Sequence, residues 1–299
     1  MRLLVTGGCG FVGSNFLRYV LQHYGPEMVT NVDSLVSGSL ARVDGLAETF
    51  GERYEFLRAD VGDVDKIDTV LATHQFFAVV NFTSESATGA AGMGALIERA
   101  RKHGVRRFMQ VSNDRIFSGH GAATPPDKHQ AAADGLALAA YRTSGEEVVI
   151  TRSAGNYGHF QAPGAFIPGS IIRALRDEPV TVPGDGSKSR GWIHVEDHCS
   201  AIFSALLSGE PGAVYHLTTD QKSQDIEVVN WILDHLGKSR DLIRCVPGGD
   251  EPEPSTDEEM RLVQEELEWK PRKHFIDALR DTIDWYVHNR EWWEPLLPR

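Results

Sequence analysis

The chain has 299 residues, a net charge of −12, 41% hydrophobic and 24% charged residues. That is enough for a two-lobed α/β enzyme with a sizeable core, and ordinary for a soluble globular protein. No Lys/Arg-rich run points to nucleic acid, and no apolar run approaches a membrane-spanning length.

The first half alternates β-branched runs with helical patterns. RLLVT reads as a strand, FVGSNFLRYVLQHY as a helix and MVTNVD as a second strand. YEFLRAD, FAVVNFT and RRFMQVS read as further strands, with a helix through ALIERARKHG. A helix opened by PPDKHQAAADG runs on through GLALAAYRTSG into the strand EVVITRS. Buried strands joined by helices predict a Rossmann-type, doubly wound parallel sheet. Beyond about residue 157 the pattern changes. GNYGHFQAPGAFIPGS is loop-rich, PVTVPGDGSKSRGWIHV reads as short strands and turns, and GGDEPEPSTDEEM as an acidic loop. HFIDALRDTIDWYVHNREWW is an amphipathic helix with an aromatic end. The expected fold is α/β, with a dinucleotide-binding domain over 1–156 and a smaller mixed substrate lobe over 157–299. Some elements are expected to cross between the two. MRLLVTGG enters a strand directly, so no signal peptide is expected. Cys9, Cys199 and Cys245 lack CxxC or metal-like spacing and read as free thiols in a reducing cytoplasm.

TGGCGFVGS lies between the first strand and the first helix. Gly7, Gly10 and Gly13 have GxxGxxG spacing, with Phe11 and Val12 inside it. Glycines allow a tight turn and a close approach to a pyrophosphate, and the helix N-terminus offers free N–H groups. Asp33 ends the second strand, where a carboxylate accepts from the adenosine ribose diol and repels a 2′-phosphate. NAD is therefore favoured over NADP. Ser37 follows in the next loop. Asp60 and Val61, in RADVGD, stand where an adenine edge is expected.

TGGCGFVGS, NVDSLVSGS, RADVGD and VVNFTSES together resemble the extended short-chain dehydrogenase/reductase family. RSAGNYGHFQAPGAFIP, PGDGSKSRGWIHVEDHCSAI, AVYHLTT and TIDWYVHNREWWEPL narrow the resemblance to the nucleotide-sugar 4,6-dehydratases, over nearly the whole chain. In that family a tyrosine takes a proton from a sugar hydroxyl while hydride passes to NAD. A lysine one helical turn on lowers the tyrosine's pKa and binds the nicotinamide ribose. The resemblance puts Pro126 at the tyrosine and Gln130 at the lysine. Proline carries no proton, and glutamine can hydrogen-bond a ribose without adding charge. Tyr141 is too far along the helix to be the missing tyrosine, and Gly145 stands four residues later.

The family's Thr-Asp-Glu, with its acid and its base, corresponds to Asn113, Asp114 and Arg115; Ser112 before them matches. Glu85 and Ser86 match the family's sugar-contacting pair, followed by a shortened segment. Asn156 matches, and Arg190 matches an arginine near the nucleotide phosphates. The family's basic run beside the diphosphate is replaced by Asp250, Glu251 and Glu253. Acidic groups there oppose a diphosphate, which favours a smaller, less phosphorylated or cationic sugar-like substrate.

Four side chains near the expected site could move protons, Asp114, His129, Lys128 and His120; Glu85 joins the catalytic candidates, and Arg115 could stabilise an anionic group. His194 and His198 have the i, i+4 spacing of a metal pair. The resemblance puts them at a strand end and a helix start, so no metal is expected. Two readings stay open. One is an NAD-binding lyase or isomerase, acting by elimination or epimerisation with replacement acid–base groups. The other is a catalytically degenerate NAD-binding partner or regulatory protein. The resemblance also implies a homodimer through the ALIERARKHG and LALAAYRTSG helices.

Overall fold

A computed structural model describes residues 1–83, 89–113, 125–153, 155–247 and 257–297. In chain order the strands are β1 (Arg2–Thr6), β2 (Met28–Asp33), β3 (Tyr54–Arg58), β4 (Ala78–Asn81), β5 (Arg107–Asn113), β6 (Glu147–Ser153) and β7 (Asn156–Tyr157). They continue with β8 (Val180–Pro183), β9 (Ser189–Gly191), β10 (Ile193–His194), β11 (Val214–Leu217), β12 (Lys222–Gln224) and β13 (Ile243–Val246). The helices of the first half are α1 (Phe11–His23), α2 (Leu46–Phe50), α3 (Val64–Thr73), α4 (Ala90–Lys102) and α5 (Pro125–Ser144). Those of the second are α6 (Phe166–Leu175), α7 (Val195–Ser208), α8 (Asp225–Leu236), α9 (Asp257–Leu267), α10 (Phe275–His288) and α11 (Arg290–Trp293).

Seven strands form one sheet in the order β11-β6-β5-β4-β1-β2-β3. Every pairing in it is parallel. Such a sheet is buried on both faces, which is why its strands read as continuous apolar runs. Alternation then sorts the side chains. Leu3, Val5 and Met109 join a core with α1 and α7. Leu4, Val79 and Phe108 join a core with α3, α4 and α5. Strand order reverses between β1 and β4, so a crevice opens beyond the carboxyl ends of these strands.

A third core holds the rest of the C-terminal half, where α6, α8 and α10 enclose Val180, Val182 and Trp192. Two elements from that half nonetheless belong to the sheet layer: β11 pairs with β6, and α7 packs on β6 and α1. The stretch read as loop-rich also contains α6. Pro168 is the third residue of that helix, where a missing N–H breaks no intrahelical bond. Ile167, Ile171, Ile172 and Ala174 supply its buried face. Likewise α9 begins at Asp257, inside the segment read as an acidic loop.

Arg107 ties α7 to the sheet. It is buried, and its Nη1 donates to the carbonyls of Leu206 (3.0 Å) and Leu207 (3.1 Å) while Nη2 donates to Gly209. These are carbonyls at the end of a helix, where a cation is favoured. Arg107→Leu is expected to cost about 2–4 kcal/mol in a urea melt. An unchanged midpoint would show that the contact contributes nothing.

Candidate active site

The crevice at the strand reversal is a cavity of about 410 Å³, within the usual range for a small-molecule site. Its floor is the turn from β1 into α1. Gly7 has φ +71°, and a Cβ there would lie 2.8 Å from backbone atoms of Phe82 and Thr83. A Cβ on Gly13 would lie 2.5 Å from the Gly7 carbonyl oxygen. The backbone therefore closes on itself only because side chains are absent. α1 begins at Gly10 without a side-chain cap and has no acidic residue in its first turn. Its first N–H groups are left for an anion.

Asp33 lies at the other end of this wall, nearly buried. Its Oδ2 accepts from Cys9 N (2.9 Å) and its Oδ1 from Leu35 N (2.7 Å). A carboxylate accepts about four hydrogen bonds, so acceptor sites remain for a diol. Gly38 lets the following loop close over it, since a Cβ there would sit 2.7 Å from Oδ1. Arg42 borders the same cavity and is buried; its Nε donates to Phe160 O at 3.0 Å.

The opposite end is lined by Ser112 and Asn113 of β5, Gln130 of α5 and Asn156. Asn113 Nδ2 donates to Gln130 Oε1 at 2.5 Å, which joins the two elements by an uncharged amide pair. Asn156 is held by Ser153, whose hydroxyl donates to its Oδ1 at 2.9 Å. No tyrosine and no lysine occurs among the described residues lining the cavity. The arrangement fits an elongated ligand with a central anion, a diol over Asp33 and a polar head against the amides.

Residues 3–218 match the model of the NAD dependent epimerase/dehydratase family. The chain belongs to this family. A dTDP-glucose 4,6-dehydratase from Streptomyces niveus is 36% identical over 325 residues, covering 99% of this chain and 96% of the relative. Another, from an Actinoplanes species, is 32% identical and covers 98% of this chain and 100% of the relative. The crystal structure of the Bacillus anthracis dTDP-glucose 4,6-dehydratase in complex with NAD superposes with a TM-score of 0.91. It is 33% identical and covers 99% of this chain and 100% of that one. The Streptomyces niveus alignment spans more residues than the 299 present here, so that relative carries segments this chain lacks.

Of the family positions read from the sequence, Gly7, Gly10, Phe11, Val12, Gly13, Asp33, Ser37, Val61, Gln130 and Asn156 come together around the one cavity. Asp60 is beside it rather than on it; its Oδ1 accepts from Gly62 N at 2.7 Å in a turn. His129 is turned elsewhere: a Cβ on Gly89 would lie 3.6 Å from its Nε2, at the start of α4. Lys128 is exposed. Arg190, on β9, is held by Asp225 through Nε–Oδ1 (2.8 Å) and Nη2–Oδ2 (2.7 Å), away from the cavity lining. Glu85, Ser86, Asp114, Arg115 and His120 lie outside the described residues, as do Asp250, Glu251 and Glu253.

Sequence reasoning gave no ligand role to Arg42 and His198, although both line the cavity. Arg42 sits in no motif. In the sequence His198 stands out only for its i, i+4 spacing from His194. The structure separates them: His194 caps α7, its Nδ1 accepting from Glu196 N, while His198 lines the cavity.

Proposed function

We propose that this chain is an NAD-binding, dehydratase/epimerase-like enzyme. It processes a sugar or nucleoside-like substrate by elimination or epimerisation, with acid–base groups that replace the family's tyrosine and lysine. The observation that carries the reading is the cavity itself. The glycine turn, Asp33 and the Asn113–Gln130 pair line one continuous space, and its described lining contains no tyrosine or lysine.

In this reading the N-terminus of α1 holds the diphosphate, Asp33 the adenosine ribose, and Gln130 the nicotinamide ribose. NAD, when bound, supplies a hydride acceptor that acidifies the carbon next to the oxidised one. Asp114 directly follows Asn113 in sequence and serves as the acid or base, with Glu85 and Arg115 as the further catalytic candidates; His129, turned away from the cavity, takes no part. Residues with Ser86 and Asn156 position the substrate. Arg190 is already matched by a fully buried carboxylate, so it contributes less to a second diphosphate than a free arginine does. That favours a sugar-like substrate with less phosphate than the dTDP-sugars named for its relatives. The chain acts as a cytoplasmic homodimer joined through α4 and α5, where Leu136 and Tyr141 are exposed. Nucleic acid is no part of the reading. No described helix is long and apolar enough to cross a membrane.

Asp114→Asn is the direct test of the chemistry. Turnover, followed as loss of water or inversion by mass spectrometry and NMR, is expected to fall at least about a hundredfold, with NAD affinity unchanged. Full activity in that variant removes Asp114 from the mechanism. The absent tyrosine and lysine also support a second reading, a non-catalytic NAD-binding regulator. Stoichiometric NAD without turnover of any sugar, nucleoside or sugar nucleotide would favour it.

Asp33→Ala is expected to weaken NAD binding about ten- to a hundredfold, the worth of one or two charge-assisted hydrogen bonds. NADP binding should weaken less or improve, because the repulsion of its 2′-phosphate is removed. Calorimetric titration with both nucleotides checks this; an unaltered NAD/NADP ratio would move the ribose away from Asp33.

A further inference from the structure

The first turn of α7 carries four polar residues in the stretch HVEDH. Three have structural tasks within the protein. His194 caps the helix. Glu196 pairs with Lys273 at 2.6 Å. Asp197 accepts from Arg272 N (3.2 Å) and Lys273 N (2.9 Å). His198 has none: it is 1% exposed, and neither ring nitrogen has a hydrogen-bond partner among the described residues. An orphaned buried imidazole is costly, and an apolar side chain would fill the space more cheaply. Yet His198 borders the cavity. α7 and α1 are in contact, with Cys199 Sγ 3.9 Å from Val12 O.

The geometry points to His198 as a hydrogen-bond donor to the diphosphate of the bound dinucleotide, a cofactor-positioning residue on the helix packed against the start of α1. This rests on the reading that a dinucleotide fills the cavity. Burial lowers the ring's pKa to about 3, so at neutral pH the imidazole is neutral, with one N–H to give. The uncapped start of α1 offers backbone donors, and the ring adds a side-chain donor on the same cavity.

The test uses nucleotide-free protein, calorimetric titration with NAD, ADP-ribose and adenosine, and a thermal melt. His198→Leu is expected to weaken NAD and ADP-ribose binding equally, by about ten- to a hundredfold. Adenosine binding should be unchanged, and the melting temperature of the nucleotide-free protein unchanged or raised. His198→Gln, which keeps an N–H donor, should retain most of the affinity. Wild-type affinity in the leucine variant would overturn the inference. So would a loss seen with NAD and not with ADP-ribose, which would assign the ring to the nicotinamide half. A loss that includes adenosine and lowers the melting temperature would mean a structural role. A wild-type protein that binds none of the three would retire the dinucleotide reading itself, and this inference with it.

Discussion

Gly13→Ala is expected to remove NAD binding by at least about a hundredfold, while costing the fold about 1–3 kcal/mol. The added Cβ would meet the Gly7 carbonyl oxygen at 2.5 Å and Gly8 Cα at 2.8 Å. Both are backbone atoms of the turn, so no side chain can swing aside. α1 must move off β1 or the turn must open, and either change displaces the free N–H groups at the start of α1. Gly45→Ala is the control. Its φ of +76° also disfavours a side chain, but nothing lies within 4 Å of the added atom. That variant should lose about 1 kcal/mol of stability and bind NAD normally. Titration and a urea melt on both variants separate the effects. Equal binding by the Gly13 variant would show that the turn does not hold the ligand.

Acid is expected to weaken the nucleotide-free protein measurably already at pH 5, above the range where ordinary carboxylates titrate. Burial lowers His198 to about 3, and burial with Lys273 and His159 nearby lowers His194 to about 3. A histidine whose folded pKa is depressed binds fewer protons than in the unfolded chain between about pH 3 and 6.5. Stability therefore falls as pH drops through that window. At pH 5 each ring costs about 2 kcal/mol relative to pH 7. Asp134 works the other way. It is buried against Arg152 at 3.1 Å, and desolvation raises it to about 6. A carboxyl with a raised pKa stabilises the fold as pH falls from about 6 towards its unfolded value. It returns about 1 kcal/mol by pH 5, so the two histidines dominate. Urea melts at pH 7 and pH 5 should differ by about 3 kcal/mol in the wild type. The difference should shrink by about 2 kcal/mol in His198→Leu. A profile flat to pH 5 would mean that the rings are hydrated or paired.

Much of this was legible in the sequence because its causes are local. MVTNVD is β2 from end to end, and RLLVT is β1. A parallel sheet buries both faces of each strand and writes itself as an apolar run. The glycine turn was legible because backbone closeness forbids other residues. α6 was not, since Pro168 and Gly169 look like loop residues until the helix start is known. The Arg190–Asp225 pair joins β9 to the start of α8 across 35 residues, and no periodicity reports such a partner. The same holds for His198. Its sequence context suggests a histidine pair, whereas its place on the cavity depends on α7 lying beside α1. Gln130 shows the converse: sequence placed it where a charge was expected, and the structure adds that Asn113 occupies its oxygen.

The most direct test of the account is to denature the purified protein and identify the nucleotide it releases. NAD is expected in an amount close to that of the chain, or stoichiometric uptake when NAD is added to stripped protein. A protein that releases no nucleotide and binds no added NAD would contradict it, and would leave the glycine turn and Asp33 without a ligand.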